Sequence, residues 1–135
     1  DSGIKIMMHI DRCDELDTST WWLDGVLGAD VEFDVFGQSC YDEANYQQPT
    51  SNWQPTFDAL ASRYPQLKFV AAEYSQSKRL VNDIVHSIPN GQGLGTFIWE
   101  PTRWRETVFT AAGNTYDTNA NLALYDQMAS DYGLR

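Results

Sequence analysis

Four apolar runs, each ending in a polar or aromatic cluster and each followed by a stretch with helical spacing, set the limits on how this chain folds. Ile4 to Met8 leads into His9-Ile10-Asp11. Val31 to Phe36 leads into Gly37-Gln38-Ser39-Cys40-Tyr41. Leu67-Lys68-Phe69-Val70-Ala71-Ala72 ends at Glu73, and Gly95 to Ile98 leads into Trp99-Glu100-Pro101. Runs rich in Val, Phe and Ile with few internal charges are strands covered on both faces, as in parallel sheets. Parallel α/β proteins build their sites from groups at the carboxyl ends of such strands.

Strands are placed at residues 4–10, 32–39, 68–72 and 94–99. A helix over 19–27 carries Trp22/Val26 and Leu23/Leu27 at i, i+4, with Thr18 or Ser19 as its cap. A second, over 53–64, puts Phe57, Leu60, Ala61 and Tyr64 on one face, and Pro55 fits only in its first turn. A third, over 77–87, turns Leu80, Val81, Ile84, Val85 and the adjoining Ile88 inward, with Lys78 and Arg79 on its solvent face. Pro89-Asn90-Gly91 stops it. Residues 101–117 are long for a structureless loop and are expected to hold a short turn of helix. A last helix over 119–132 has Leu124/Met128 on one face. The order is βαβαβαβα, an α/β chain read as a single domain over 1–135. Four such units with right-handed connections form either a small open sheet or half of an eight-stranded barrel. A flavodoxin-like domain shares the grammar, but the glycine-rich phosphate loop it would need is absent.

The 135 residues include 9 basic and 19 acidic side chains, a net charge of −10. Such a surface repels phosphate backbones, so nucleic acid is a poor partner; an acidic site suits neutral sugars or cations. There is no apolar run of the length that spans a membrane. Asp1-Ser2-Gly3 has no cationic segment or signal-type apolar core, so the chain reads as cytosolic or as one whose leader has been removed. Cys13 and Cys40 both follow strands, whose ends are neighbours in a parallel sheet. Two cysteines are no disulfide framework, and unpaired thiols are the expectation, with a disulfide as the alternative. His9 and His86 are too few and too separated for a zinc site. Asp11, Asp14, Glu15 and Asp17 lack the glycine and terminal glutamate of a calcium loop and read as a solvated loop. Trp21-Trp22 and Trp104 read as packing residues rather than sugar platforms. No cofactor or metal is expected.

Taken in order, the strand ends Met7-Met8-His9-Ile10-Asp11, Phe33-Asp34-Val35-Phe36-Gly37-Gln38-Ser39-Cys40-Tyr41, Phe69-Val70-Ala71-Ala72-Glu73-Tyr74 and Gly93-Leu94-Gly95-Thr96-Phe97-Ile98-Trp99-Glu100-Pro101 resemble strands five to eight of glycoside hydrolase family 53, the endo-β-1,4-galactanases. The likeness runs from Ile4 to about Tyr132. It implies the C-terminal half of a (β/α)₈ TIM barrel, cleavage of galactan or a related β-linked plant polysaccharide with retention, and secretion. It places Glu73 at the nucleophile position. The family's acid/base glutamate follows an asparagine at the end of strand four, and no asparagine here precedes a glutamate, so that half of the site lies outside this chain. Two departures stand out. Ser39-Cys40-Tyr41-Asp42 replaces the family's Ser-Tyr-Tyr-Pro, and the short step from Glu73 to the next helix leaves no room for the calcium-binding insertion of some bacterial relatives.

Retention needs two carboxyl groups about 5 Å apart, one to attack and one to protonate the leaving oxygen. Glu73 is the candidate attacker; without the resemblance it reads as a solvated loop acid. Substrate-binding candidates are Asp11, His9, Tyr41, Trp99 and Glu100. Asp11 accepts from sugar hydroxyls or is a solvated loop acid, and His9 lines the site or is a hydrogen-bonded buried histidine. Tyr41 holds the Glu73 carboxylate or is a rim aromatic, and Trp99 stacks on a sugar face or is core. Glu100 is structural or a partner for sugar hydroxyls rather than catalytic. An isolated half barrel exposes two strand edges, which implies self-association or pairing with a missing N-terminal half. The competing reading is a non-catalytic carbohydrate-binding or self-assembling half-barrel module.

Overall fold

A computed structural model describes residues 3–42, 47–103 and 105–134. The elements are β1 (Met7–Ile10), α1 (Leu16–Gly28), β2 (Val35–Ser39), a 3₁₀ turn at Thr50–Asn52, α2 (Trp53–Arg63), β3 (Lys68–Tyr74), α3 (Lys78–Ser87), a 3₁₀ turn at Pro89–Gly91, β4 (Gly93–Ile98), β5 (Phe109–Ala112), β6 (Thr115–Thr118) and α4 (Ala120–Asp131). Trp104, expected to pack, lies outside the described residues.

The four main strands are parallel in the order β1-β2-β3-β4, with Met7 opposite Val35, Phe36 opposite Phe69 and Phe69 opposite Gly93. A doubly wound sheet needs a reversal of strand order to put helices on both faces. Here the order never reverses, so right-handed crossovers lay every helix on one side. That geometry is a barrel wall, and the open-sheet alternative falls with it.

The helix side holds the core. Trp22 stacks on Phe36 at 5.7 Å, and Phe36 meets Phe69 edge-on at 6.4 Å. Trp53, Phe57, Leu60, Val81, Ile84, Val85 and Ile88 close over them. Leu80 breaks the expected inward set and is exposed. The opposite, concave side carries Met7, Val35, Val70, Leu94, Gly95 and Phe97 around a hollow of ≈ 360 Å³. Leu94 is 56% and Phe97 60% exposed there.

Gly93 begins β4 where α3 ends. A Cβ at this position would sit 1.8 Å from the Val85 carbonyl oxygen. The obstacle is backbone, which a rotamer change does not clear. Gly93→Ala is therefore expected to destabilise the fold by about 3 kcal/mol, the upper range of overpacking costs. The urea midpoint measures it; a midpoint unchanged from wild type contradicts the packing described.

Several local expectations are corrected. α1 starts at Leu16 after Glu15, which makes no side-chain cap bond; Thr18 instead donates to Glu15 Oε2 at 2.8 Å. Ser19 is buried and accepts from Gln38 Nε2 at 2.7 Å. Trp21 is 74% exposed rather than packed. Lys78 is not on a solvent face. It is buried, donating to the Ser75 carbonyl at 2.6 Å and to Glu106 Oε2 at 3.1 Å, so it ties the loop after β3 to the segment after β4. That segment holds the antiparallel hairpin β5–β6, not a turn of helix.

α4 is capped by Asn119, which accepts from the Asn121 N–H at 2.9 Å. It is locked to α3 by Arg79, which reaches both Asp83 and Asp131, while Tyr132 donates to Asp83 at 2.7 Å and stacks on His86. Desolvation pushes the Asp83 carboxyl up, but the Arg79 and Tyr132 hydrogen bonds outweigh it and hold the group below its ordinary value. Beside this lock, Tyr74, Asn82, Thr96 and Tyr125 share partly buried hydrogen bonds, with the two tyrosine hydroxyls 2.6 Å apart. Burial pushes the Tyr125 phenol well above its usual range.

Candidate active site

The carboxyl ends of the four parallel strands meet at one rim. Backbone bonds continue the ladder past the strands and fix neighbouring loops to one another. The Cys13 N–H donates to the Ser39 carbonyl at 3.1 Å, Cys40 N–H to the Glu73 carbonyl at 2.8 Å, and Trp99 N–H to the Tyr74 carbonyl at 2.7 Å. The rim encloses a hollow of ≈ 410 Å³ lined by His9, Ile10, Asp11, Ser39, Tyr41, Glu73 and Trp99.

Glu73 reaches this hollow because β3 is irregular. Strict alternation would send residues 69, 71 and 73 to the same side, and Phe69 and Ala71 are in the helix-side core. The register of β3 against β4 shifts between Ala71 and Tyr74, and that of β2 against β3 shifts between Gln38 and Ser39. Ala72 lies on the concave side, since a Cβ on Gly37 would be 2.9 Å from its methyl carbon. Tyr74 then returns to the helix-side core, and Glu73 is left lining the hollow. A bulge at a rim re-aims a side chain in this way.

Tyr41 is buried and donates its hydroxyl to Glu73 Oε2 at 3.0 Å. A hydrogen bond of this kind holds the carboxyl group in one orientation. His9 Nε2 and Ser39 Oγ are 2.9 Å apart, and the hydrogen-bond direction follows the imidazole tautomer. Asp11 accepts from the Arg12 N–H at 2.7 Å and from Gln48 Nε2 at 3.3 Å. Trp99 stands at the edge, half open to solvent. The hollow thus joins two carboxylates, neutral donors and one open aromatic, which suits a neutral hydroxyl-rich ligand.

Of the six site residues named from sequence, Glu73, Asp11, His9, Tyr41 and Trp99 line this hollow. Glu100 does not. It is exposed in the following turn, with φ +47°. Asp14 departs from the solvated-loop reading: it is buried and paired with Arg12 through two bonds of 3.1 Å. The Asp14 hydrogen bond raises the Arg12 guanidinium above its usual value.

The two cysteines are paired, not free. Cys13–Cys40 has a Cα separation of 5.3 Å and joins the loop after β1 to the end of β2, two residues past Asp11 and one before Tyr41. Sequence reading also passed over Ser39 and Gln48. Ser39 sits inside the strand-end motif; Gln48 carries no local signal, because its partners are 7 and 37 residues away. Among the described residues, no group of three or more His, Cys, Asp or Glu is placed to hold a metal ion, and no helix is long and apolar enough to cross a membrane.

Three solved structures show what this chain is similar to in fold. One, from a study of two fungal β-1,4-galactanases, matches with a TM-score of 0.60 at 24% identity over 72% of this chain and 38% of its own. A thermostable mutant xylanase from Cellvibrio japonicus matches with a TM-score of 0.64 at 15% identity, over 98% of this chain and 50% of its own. The catalytic core of a xylanase A matches with a TM-score of 0.59 at 16% identity, over 90% and 47%. These likenesses show the fold, a TIM-barrel wall, and the chain spans half or less of each of them. Among curated proteins, none matches the chain. The model of Glycosyl hydrolase family 53 matches residues 1–80, which hold the first two βα units and β3 with Glu73 at its rim, and the chain belongs to that family.

Proposed function

We propose that residues 1–135 form one unit, half of a TIM barrel that carries the nucleophile side of a retaining endo-β-1,4-galactanase. The observation that supports this most is the Glu73 carboxylate in the rim hollow with the Tyr41 hydroxyl on it. In this reading Glu73 attacks the anomeric carbon of a β-linked galactosyl unit and forms a glycosyl ester. A second carboxyl about 5 Å away first protonates the leaving oxygen and then activates water. That second group comes from a further set of four βα units, on the same polypeptide or another. Asp11, His9 and Ser39 bind sugar hydroxyls, Trp99 offers a stacking face, and Glu100 meets hydroxyls farther along the chain of sugars. A Cys13–Cys40 bond supports an extracellular setting, where disulfides persist.

Exposed Met7, Leu94 and Phe97 around the concave-face hollow favour a covered state. The covering set is either those partner units or a second copy. The self-assembling module without catalysis is thus the second reading. The assay is β-1,4-galactan with reducing ends measured, using this chain alone and with the N-terminal half of a family barrel. Release is expected only from the combination. Binding of galactan without release, unaltered by Glu73→Gln, would favour the module.

A further inference from the structure

Gln48 is 0% exposed, and both ends of its amide are used. Its Oε1 accepts from the Tyr41 N–H at 2.9 Å, and its Nε2 donates to Asp11 Oδ1 at 3.3 Å. The Tyr41 hydroxyl continues to Glu73 Oε2 at 3.0 Å. These contacts run across the hollow from the loop after β1, through the loop after β2, to the end of β3.

We propose that Gln48 is a positioning residue for this site, setting Glu73 through Tyr41 and Asp11 directly. The proposal rests on the reading of Glu73 as the attacking carboxylate. Three features carry it. An amide donates at one atom and accepts at another without titrating, so one side chain serves a main-chain N–H and a carboxylate together. A buried amide with both ends engaged keeps a single orientation, because leaving either end unpaired is costly. Gln48 is also anchored from behind: Pro49 follows with φ −61°, then the 3₁₀ turn and α2, whose first residue Trp53 is fully buried. Gln47, just before it, adopts φ +57°, a left-handed conformation unfavourable for a non-glycine residue. Such strain persists where surrounding contacts impose it, as at ligand clamps.

Carboxyl ¹³C NMR on the chain labelled at Asp and Glu tests this. The Glu73 signal is assigned by its loss in Glu73→Gln and the Asp11 signal by its loss in Asp11→Asn. Gln48→Met is expected to move the Glu73 signal in the direction that Tyr41→Phe moves it. In the double variant, Gln48→Met should add less than half of its own shift, because the hydroxyl it acts through is gone. A merely structural role gives additive shifts. Should Gln48→Met not fold, Gln48→Glu keeps the acceptor for the Tyr41 N–H and loses the donor to Asp11. It should then move the Asp11 signal and leave the Glu73 signal near its wild-type position.

A second measurement separates this proposal from the reading beneath it. A 2-deoxy-2-fluoro-β-galactoside with a dinitrophenolate leaving group needs no acid. The Glu73 oxygen bonds to the anomeric carbon as dinitrophenolate departs with the electron pair. Labelling should slow roughly ten- to a hundredfold in Gln48→Met, the scale of a small misplacement. An unmoved Glu73 signal with labelling at the wild-type rate overturns the role of Gln48, as does an unmoved Asp11 signal in Gln48→Glu. Absence of labelling in the wild type, with the coupled shifts present, overturns the nucleophile reading and supports the Gln48 bracket.

Discussion

Glu73→Gln is expected to reduce galactan hydrolysis by the completed barrel roughly 10⁴-fold, the scale of losses when a member of the reacting set is removed. The amide has the size of the acid and still accepts from the Tyr41 hydroxyl, so the rim stays in place. What it loses, on the proposed function, is the carboxylate oxygen assigned to attack on the anomeric carbon. Stability should change by no more than about 0.5 kcal/mol, as for a partly exposed isosteric change. Glu73→Ala gives a sharper form of the test. The vacated space admits azide, which as an external nucleophile should restore turnover and yield a glycosyl azide of inverted configuration. Activity of Glu73→Gln above a tenth of wild type would exclude Glu73 as nucleophile, and a large fall in melting temperature would mean that the loss was one of folding.

Removal of the disulfide has the second large effect. Cys13 and Cys40 are 27 residues apart in sequence. Closing a loop of that length limits the unfolded chain by about 3–4 kcal/mol on the chain-entropy account. The double change Cys13→Ser, Cys40→Ser should therefore lower the melting temperature by on the order of 10 °C. The same loss should follow from dithiothreitol treatment of the wild type and be absent on treating the double variant. A melting curve insensitive to reductant would mean that the bond does not form in solution. Both ends of the bridge lie beside hollow-lining residues, so the damage is expected to reach sugar binding before global unfolding.

The strand–helix order and the rim were legible in sequence because each parallel strand is a continuous apolar run that changes character at its carboxyl end. Phe69 and Ala71 announce burial, and Glu73 marks the polar position that interrupts it before Tyr74. What escaped was set by distance or by context. The Cys13–Cys40 pair depends on which strand ends become neighbours, and composition argued for thiols. Lys78 looked like a solvent-face residue of an amphipathic helix, yet the Ser75 carbonyl and Glu106 draw its ammonium inward. The hairpin β5–β6 did leave a local mark: Gly113-Asn114 between Ala112 and Thr115, with Gly113 at φ +62°, is a two-residue hairpin turn with glycine first. Gln48 left none, since nothing in its neighbours distinguishes it from Gln47.

The offset in β3 has a consequence for how this chain tolerates change. Between Ala71 and Tyr74 the backbone takes one step out of phase, and that step alone decides which of two adjacent side chains is wet. Regular pleating through the same residues would exchange their fates, driving an acid among the hydrophobic groups under the helices and leaving a phenol at the surface, whereas loss of Ala72 would restore the alternation and leave both side chains where they are.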